Sequence, residues 1–251
     1  MYVSGQYGTL RAGTQPNIAF GSVLLGDARR GSNYGSSLAA IAIDGGLGTV
    51  DSNAISYSSP SWNGLTSALS LVSSQRATPT SNVTSGTRAA LKYSNSGFDG
   101  TFAAYSNSTK STTTSPDLFG QVLGASYKIS SFTLKGLYTR QRNSTTTTTK
   151  LNTTGFGGIY DLTSETSIDA GIFRSKQNLT STTNYKMNTY GVGVQHKFLK
   201  DLTAYAQYAS VKNNGTATAA FNFAGPTIEP GSITVGQSAK TLNVGVLYAF
   251  F

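Results

Sequence analysis

The sequence predicts an all-β fold, an antiparallel transmembrane β-barrel, and three observations carry that prediction. About a dozen segments alternate apolar and polar residues with period two. The connections between them run short, long, short, long, as they must when every strand crosses the same hydrocarbon slab and returns. The composition is that of a wall without a large dry core: 38% of residues are hydrophobic and 12% charged, against roughly 45–50% and 25% in an ordinary soluble domain.

The elements follow in chain order. Residues 2–6 and 9–15 flank a tight turn at Tyr7-Gly8, and a long connection, 16–51, comes next. Strands 52–59 and 65–76 meet at Pro60-Ser-Trp-Asn-Gly64, and strands 87–95 and 101–107 meet across Ser96-Gly-Phe-Asp-Gly100. The pair 118–129 and 132–142 turns at Ser130-Ser131, the pair 151–162 and 166–177 at Thr163-Ser-Glu165, and the pair 185–198 and 202–212 at Lys200-Asp201. A last long loop, 213–237, leads to strand 239–250. Gly, Pro, Asn, Asp and Ser between alternating runs supply the backbone conformations that hairpins need. This gives about thirteen strands in one barrel unit over residues 1–251. The Thr/Ser/Asn tracts at 106–116, 143–150 and 178–184 cannot pack a core and read as outer loops.

Faces are legible within the strands. Phe132, Leu134, Gly136 and Tyr138 share one side of their strand, with Thr133, Lys135, Thr139 and Gln141 on the other. Leu123, Ala125 and Tyr127 oppose Ser126 and Lys128, and Ala89, Leu91 and Tyr93 oppose Arg88, Lys92 and Ser94. The last strand carries an apolar side of Leu242, Val244, Val246, Tyr248 and Phe250. Tyr57, Tyr93, Tyr127, Tyr160, Phe198 and Tyr208 fall near strand ends and, with Tyr248 and Phe250, suit an aromatic girdle at the membrane interface. The expected arrangement is therefore inverted, apolar outside and polar within.

Composition excludes several chemistries. There is no cysteine, so no disulfide scaffold and no thiolate metal site, and the single His196 cannot anchor a metal alone. His196 lies on the apolar side near a strand end and reads as an interfacial aromatic, not as a catalytic base. Gly155-Phe-Gly-Gly158 reads as a bend or close packing, since no helix follows it to cradle a phosphate. No enzyme, cofactor or metal is expected. The formal charge is +9, but the basic residues are dispersed singly along strands, which argues against nucleic acid as a partner. Strand direction adds one expectation. The first and last strands both run toward the short-turn side, and a closed antiparallel barrel cannot pair them. Either an odd number of strands precedes Met1, or residues 2–6 do not span.

Several segments resemble the general trimeric porins of Gram-negative outer membranes, in particular their beta-proteobacterial branch. They are Tyr7-Gly-Thr-Leu-Arg-Ala-Gly13 before a long loop, Asn53-Ala-Ile-Ser-Tyr-Ser-Ser-Pro60, Tyr190-Gly-Val-Gly-Val-Gln-His196, Lys200-Asp-Leu-Thr-Ala-Tyr-Ala-Gln-Tyr208 and the aromatic C-terminus. The likeness aligns the chain from about the fourth strand of a roughly 16-stranded barrel enclosing an aqueous channel. It implies that residues 16–51, with Asp27, Arg29, Arg30 and Asp44, fold into the lumen as a constricting loop that sets its acids Asp27 and Asp44 opposite wall cations. By position those cations are Arg11, Arg88, Lys92, Lys128 and Lys135. It also implies a homotrimer in the outer membrane, with lipid outside and small ions and hydrophilic solutes inside. A basic ring in a narrowed pore would favour anions in passive diffusion. The alternative is a barrel plugged by residues 16–51, serving as a scaffold or surface adhesin.

Overall fold

The computed structural model describes residues 1–32, 35–38, 47–73, 83–110, 117–144, 148–178, 183–216, 219–221 and 231–249. Asp44 and Phe250 lie outside the described residues. Twelve strands follow one another as antiparallel neighbours: β1 (Tyr2–Gly5), β2 (Gly8–Pro16), β3 (Val50–Ser58), β4 (Leu65–Val72), β5 (Val83–Asn95), β6 (Phe98–Lys110), β7 (Asp117–Ile129), β8 (Phe132–Ser144), β9 (Thr148–Asp161), β10 (Thr166–Asn178), β11 (Asn184–Leu199) and β12 (Leu202–Asn213). A small hairpin, β13 (Ala219–Phe221) and β14 (Gly231–Ile233), interrupts the last loop. β15 (Ser238–Tyr248) then pairs with β12 and completes a thirteen-stranded sheet.

Short turns close one end of this sheet for local reasons. Asn63 and Gly64 both have positive φ, as do Ser96 and Gly97, which is the twist a two-residue hairpin requires. A side chain at position 64 would also run into the Ser94 carbonyl. The β5–β6 connection is thus the two residues Ser96-Gly97, shorter than the five expected from Ser96 to Gly100. Phe98 and Asp99 belong to β6 because they pair with Asn95 and Ser94.

Alternation separates two faces. Val122 is 1% exposed and the adjacent Leu123 55%. Tyr138, Leu242, Val244 and Val246 are likewise exposed while Thr139 is buried. The exposed apolar side is continuous across paired strands, as in Leu123 opposite Tyr138, Phe156 opposite Ile172, and Ile172 opposite Tyr190. The aromatic pairs Tyr93–Phe98 and Phe132–Tyr160, each with ring centroids 6.4 Å apart, sit at the short-turn end. His196 packs edge-on against Phe198 there, its Nδ1 2.7 Å from Thr166 Oγ1. Tyr57, Tyr127 and Tyr248 also lie at that end, whereas Tyr208 stands midway along β12.

The connection after β2 contains α1 (Ile18–Gly26), where only an irregular loop was expected. Asn17 caps it: its Oδ1 accepts from the Ala19 and Phe20 amides at 2.9 and 3.2 Å. α1 and the turn after it reach β5, β6, β7 and β8 on one side and β10, β11 and β12 on the other. Thirteen flat strands would span roughly 60 Å at ~4.8 Å per strand. One short segment can touch that many only if the sheet curls around it, so α1 lies on the concave side, inside a barrel wall. No helix among the described residues is long and apolar enough to cross a membrane; the strands cross it.

Candidate functional site

The site is the seam between the inserted segment and the concave wall. α1 rests on an apolar patch: Ala19 and Val23 pack against Ala103, Tyr105, Leu118, Val122 and Leu137. The expectation of a polar interior fails at this patch. The helix is apolar on all sides, and such a helix needs an apolar seat. Close approach is permitted by glycine. A Cβ on Gly124 would meet Ser22 O, and one on Gly157 would meet the Ala28 side chain at 2.6 Å. Ser22 Oγ and Thr101 Oγ1, 2.8 Å apart, add a polar tie. Lys135 Nζ donates to Leu24 O at 3.2 Å, placing a cation at the helix C-terminus, where the backbone carbonyls favour it.

Beyond the helix, the chain is locked by charge. Arg29 is fully buried and forms an ion pair with Asp169 on β10, and its Nη2 donates to Gln207 Oε1 on β12 at 3.1 Å. The guanidinium lies in a slot made of inward glycines: side chains at Gly191 or Gly193 would come within 2.6 and 2.5 Å of it, and one at Gly171 within 3.2 Å of its stem. Burial pushes the Arg29 pKa down to about 10, so it stays charged at neutral pH. Arg30, held at positive φ, donates to Gln195 Oε1 at 2.9 Å and to Ser167 Oγ at 2.7 Å. Burial lowers its pKa as well.

Asp27 was expected to face the lumen as an acid. It is instead wholly buried, and it knits the inserted segment to itself. Its carboxylate accepts from the Arg29 amide at 2.7 Å, the Ser37 amide at 2.9 Å and the Ser37 hydroxyl at 2.5 Å. Burial raises its pKa, opposed by the Ser37 and Arg29 hydrogen bonds and by Lys135. An acid with a raised folded pKa stabilises most below its unfolded value, near 3.8, and loses that contribution as pH rises through the folded value. The thermal midpoint of the wild type, measured against Asp27→Asn, is therefore expected to fall as pH rises from about 4. A pH-independent difference would refute this.

At the other end of α1, Asn17 Nδ2 donates to Asp51 Oδ1 at 3.2 Å, and Asp51 pairs with Arg88 at 3.0 Å. Arg88 is thus a buried, paired charge, not an open pore cation. Removing the cap by Asn17→Ala is expected to cost about 1 kcal/mol and to raise the amide exchange of Ala19 and Phe20.

The remaining wall cations of interest share the concave face. Arg11 aligns with the inward Ser56 and is exposed. Lys92 lies 3.6 Å from Asp99, and Lys128 3.6 Å from Asp161, both pairs about half exposed. Lys92 lines a cavity of about 300 Å³ between α1 and β4–β6, with Ser22, Thr66 and Thr101. Sequence reasoning missed Asp51, Asp169, Gln195 and Gln207. A charged Asp169 in the middle of an alternating strand was the available signal. It also missed Lys197, which follows the inward Gln195 by two positions on β11.

Comparison with known proteins agrees with this geometry. Among solved structures, the fold is similar to an anion-selective porin from Comamonas acidovorans, with a TM-score of 0.84 at 20% identity over 99% of this chain and 76% of that one. It is also similar to OmpT, an outer membrane protein of Vibrio cholerae, with a TM-score of 0.75 at 12% identity over 98% and 78%. The outer membrane channel DcaP of Acinetobacter baumannii follows at 0.57 and 13% over 99% and 71%. No curated protein sequence matches significantly. The sequence profile of the Gram-negative porin family matches residues 1–216. Together with the strand-built membrane wall, that match makes this chain a member of the Gram-negative porin family, a channel protein of the outer membrane.

Proposed function

We propose that the chain forms a water-filled pore for passive diffusion of small hydrophilic solutes and ions, with a preference for anions. Residues 16–51 are its constricting loop. The observation that carries the preference is the charge left over on the concave face. The buried carboxylates Asp51 and Asp169 are each matched by an arginine, and Asp27 is consumed inside the loop. Arg11, Lys92, Lys128, Lys135 and Lys197 retain contact with the lumen, and among the described residues the half-exposed Asp99 and Asp161 oppose them. Water-filled pores with walls of low dielectric focus such an excess, raising the local concentration of the opposite charge.

The loop packs against β6–β12 through its apolar seat, glycine contacts and Arg29, so its open side is toward β2–β5. Arg11 and Lys92 stand there. The Comamonas relative is anion-selective by name, and a trimer form of OmpT is among the similar structures. We extend both properties to this chain, as a homotrimer with lipid around it. The test is reconstitution of the purified chain in a planar bilayer under a potassium chloride gradient. Open steps with a reversal potential favouring chloride support the proposal. A silent bilayer would turn the reading to a plugged structural barrel or adhesin.

A further inference from the structure

The helix α1 keeps an apolar face that the wall does not cover. Ala19 and Val23 are buried against the apolar seat. Ile18, Gly21 and Leu25, spaced i, i+3 and i+7, form a second stripe on the same helix. Gly21 is exposed, and Ile18 and Leu25 are half-buried. A Cβ placed on Gly21 would meet nothing within 4 Å. This stripe lines the cavity of about 300 Å³ between α1 and β4–β6, together with Ala68 and Ala90 of the wall. The two alanines are cross-strand partners on β4 and β5, both half-buried. Lumen positions of such walls are otherwise polar. Apolar surface on two sides of an open cavity is therefore more than the conduction of inorganic ions requires.

One end of the cavity is charged. Lys92 is the next inward residue after Ala90 on β5, and its partner on β4 is Thr66. The ammonium is half exposed and lies 3.6 Å from Asp99, beyond direct hydrogen bonding. The Asp99 carboxylate instead accepts the Ser94 hydroxyl at 2.5 Å. Lys92 thus keeps protons to offer an incoming anion. Ser22 and Thr101, tied to each other at 2.8 Å, join the helix to β6 on the far side. Inward positions on a strand recur every ~6.8 Å, so a carboxylate at Lys92 carrying a tail of about five carbons reaches past Ala90.

Building on the pore reading, we propose that this trough is a binding station for monocarboxylates with a short apolar tail. The carboxylate sits at Lys92, and the tail lies over Ala68 and Ala90 against the free stripe of α1. One ammonium answers one carboxylate, whereas a second carboxylate on the solute would be repelled by Asp99. The tail gains in proportion to the apolar surface it covers. Inorganic anions pass without using that surface.

The test uses the full chain, with ligand-observed saturation-transfer NMR in a nonionic detergent and single-channel recording in planar bilayers. The probes are acetate, butyrate, hexanoate, succinate and the uncharged hexanamide. Binding is expected to tighten about threefold per methylene from acetate to hexanoate. Succinate and hexanamide should bind at least tenfold more weakly than hexanoate, and hexanoate should interrupt the chloride current. Gly21→Leu fills the trough from the helix side without a clash at its Cβ, and leucine is the better helix former. That variant should lose the dependence on tail length. Lys92→Gln should bring hexanoate down to the level of hexanamide. Equal binding of acetate and hexanoate, succinate binding as tightly as hexanoate, or unchanged hexanoate binding by Gly21→Leu would each overturn the proposal. Open steps that hexanoate does not interrupt overturn the station alone and leave the pore reading intact. A silent bilayer overturns the pore reading and, with it, any role of the trough in passage.

Discussion

Arg29→Ala is expected to free the inserted loop and raise single-channel conductance about twofold, since the loop is the body that occupies the lumen. Removing one partner of a buried ion pair costs about 3–5 kcal/mol, because the other charge is left without compensation. Here that other charge is Asp169, itself buried in the wall. The double variant Arg29→Ala/Asp169→Asn should regain much of the lost stability, because the orphaned carboxylate is gone, yet keep the enlarged conductance. Thermal unfolding in detergent and bilayer recordings separate the two effects. If Arg29→Ala keeps wild-type conductance with stable steps, the arginine does not hold the loop.

Neutralising Arg11 and Lys92 together is expected to lower the chloride-to-potassium permeability ratio by about tenfold. A unit charge ~7 Å from a passing ion is worth about 0.6 kcal/mol at the dielectric of water, and its loss acts with opposite sign on the two ions. One substitution thus changes the ratio by about threefold to sevenfold, the lower figure allowing for salt screening. Arg88→Gln should behave differently. Its charge is already cancelled by Asp51 at 3.0 Å, so selectivity moves little while stability falls. Reversal potentials for the two variants check this order. An unchanged potential in Arg11→Gln/Lys92→Gln would remove both residues from the selectivity mechanism.

The wall was easy to read because each strand declares its faces locally. Leu134 and Tyr138 against Thr133 and Lys135 is a pattern visible within a few residues, and lipid outside demands it along every strand. The inserted loop was harder. Asn17 followed by a run of apolar residues is a helix start with its cap, but nine residues that are apolar except for Ser22 look much like a buried strand or an irregular loop. Asp27 was misplaced for a related reason. An acid in a lumen loop can face water or tie the loop together, and only the position of Ser37, ten residues on, decides which.

By itself the sequence determined the all-β class, the thirteen-strand rhythm, the apolar exterior and the basic excess. All of these are periodic or compositional, and so survive without knowledge of distant contacts. Only the tertiary structure decided where the loop seats, which charges remain free and which glycines make room. Gln207 lies 178 positions from Arg29 in the chain, and no local pattern announces such a partner. The curl of the sheet brings them together, and with them it chooses which lysines still see the water of the pore.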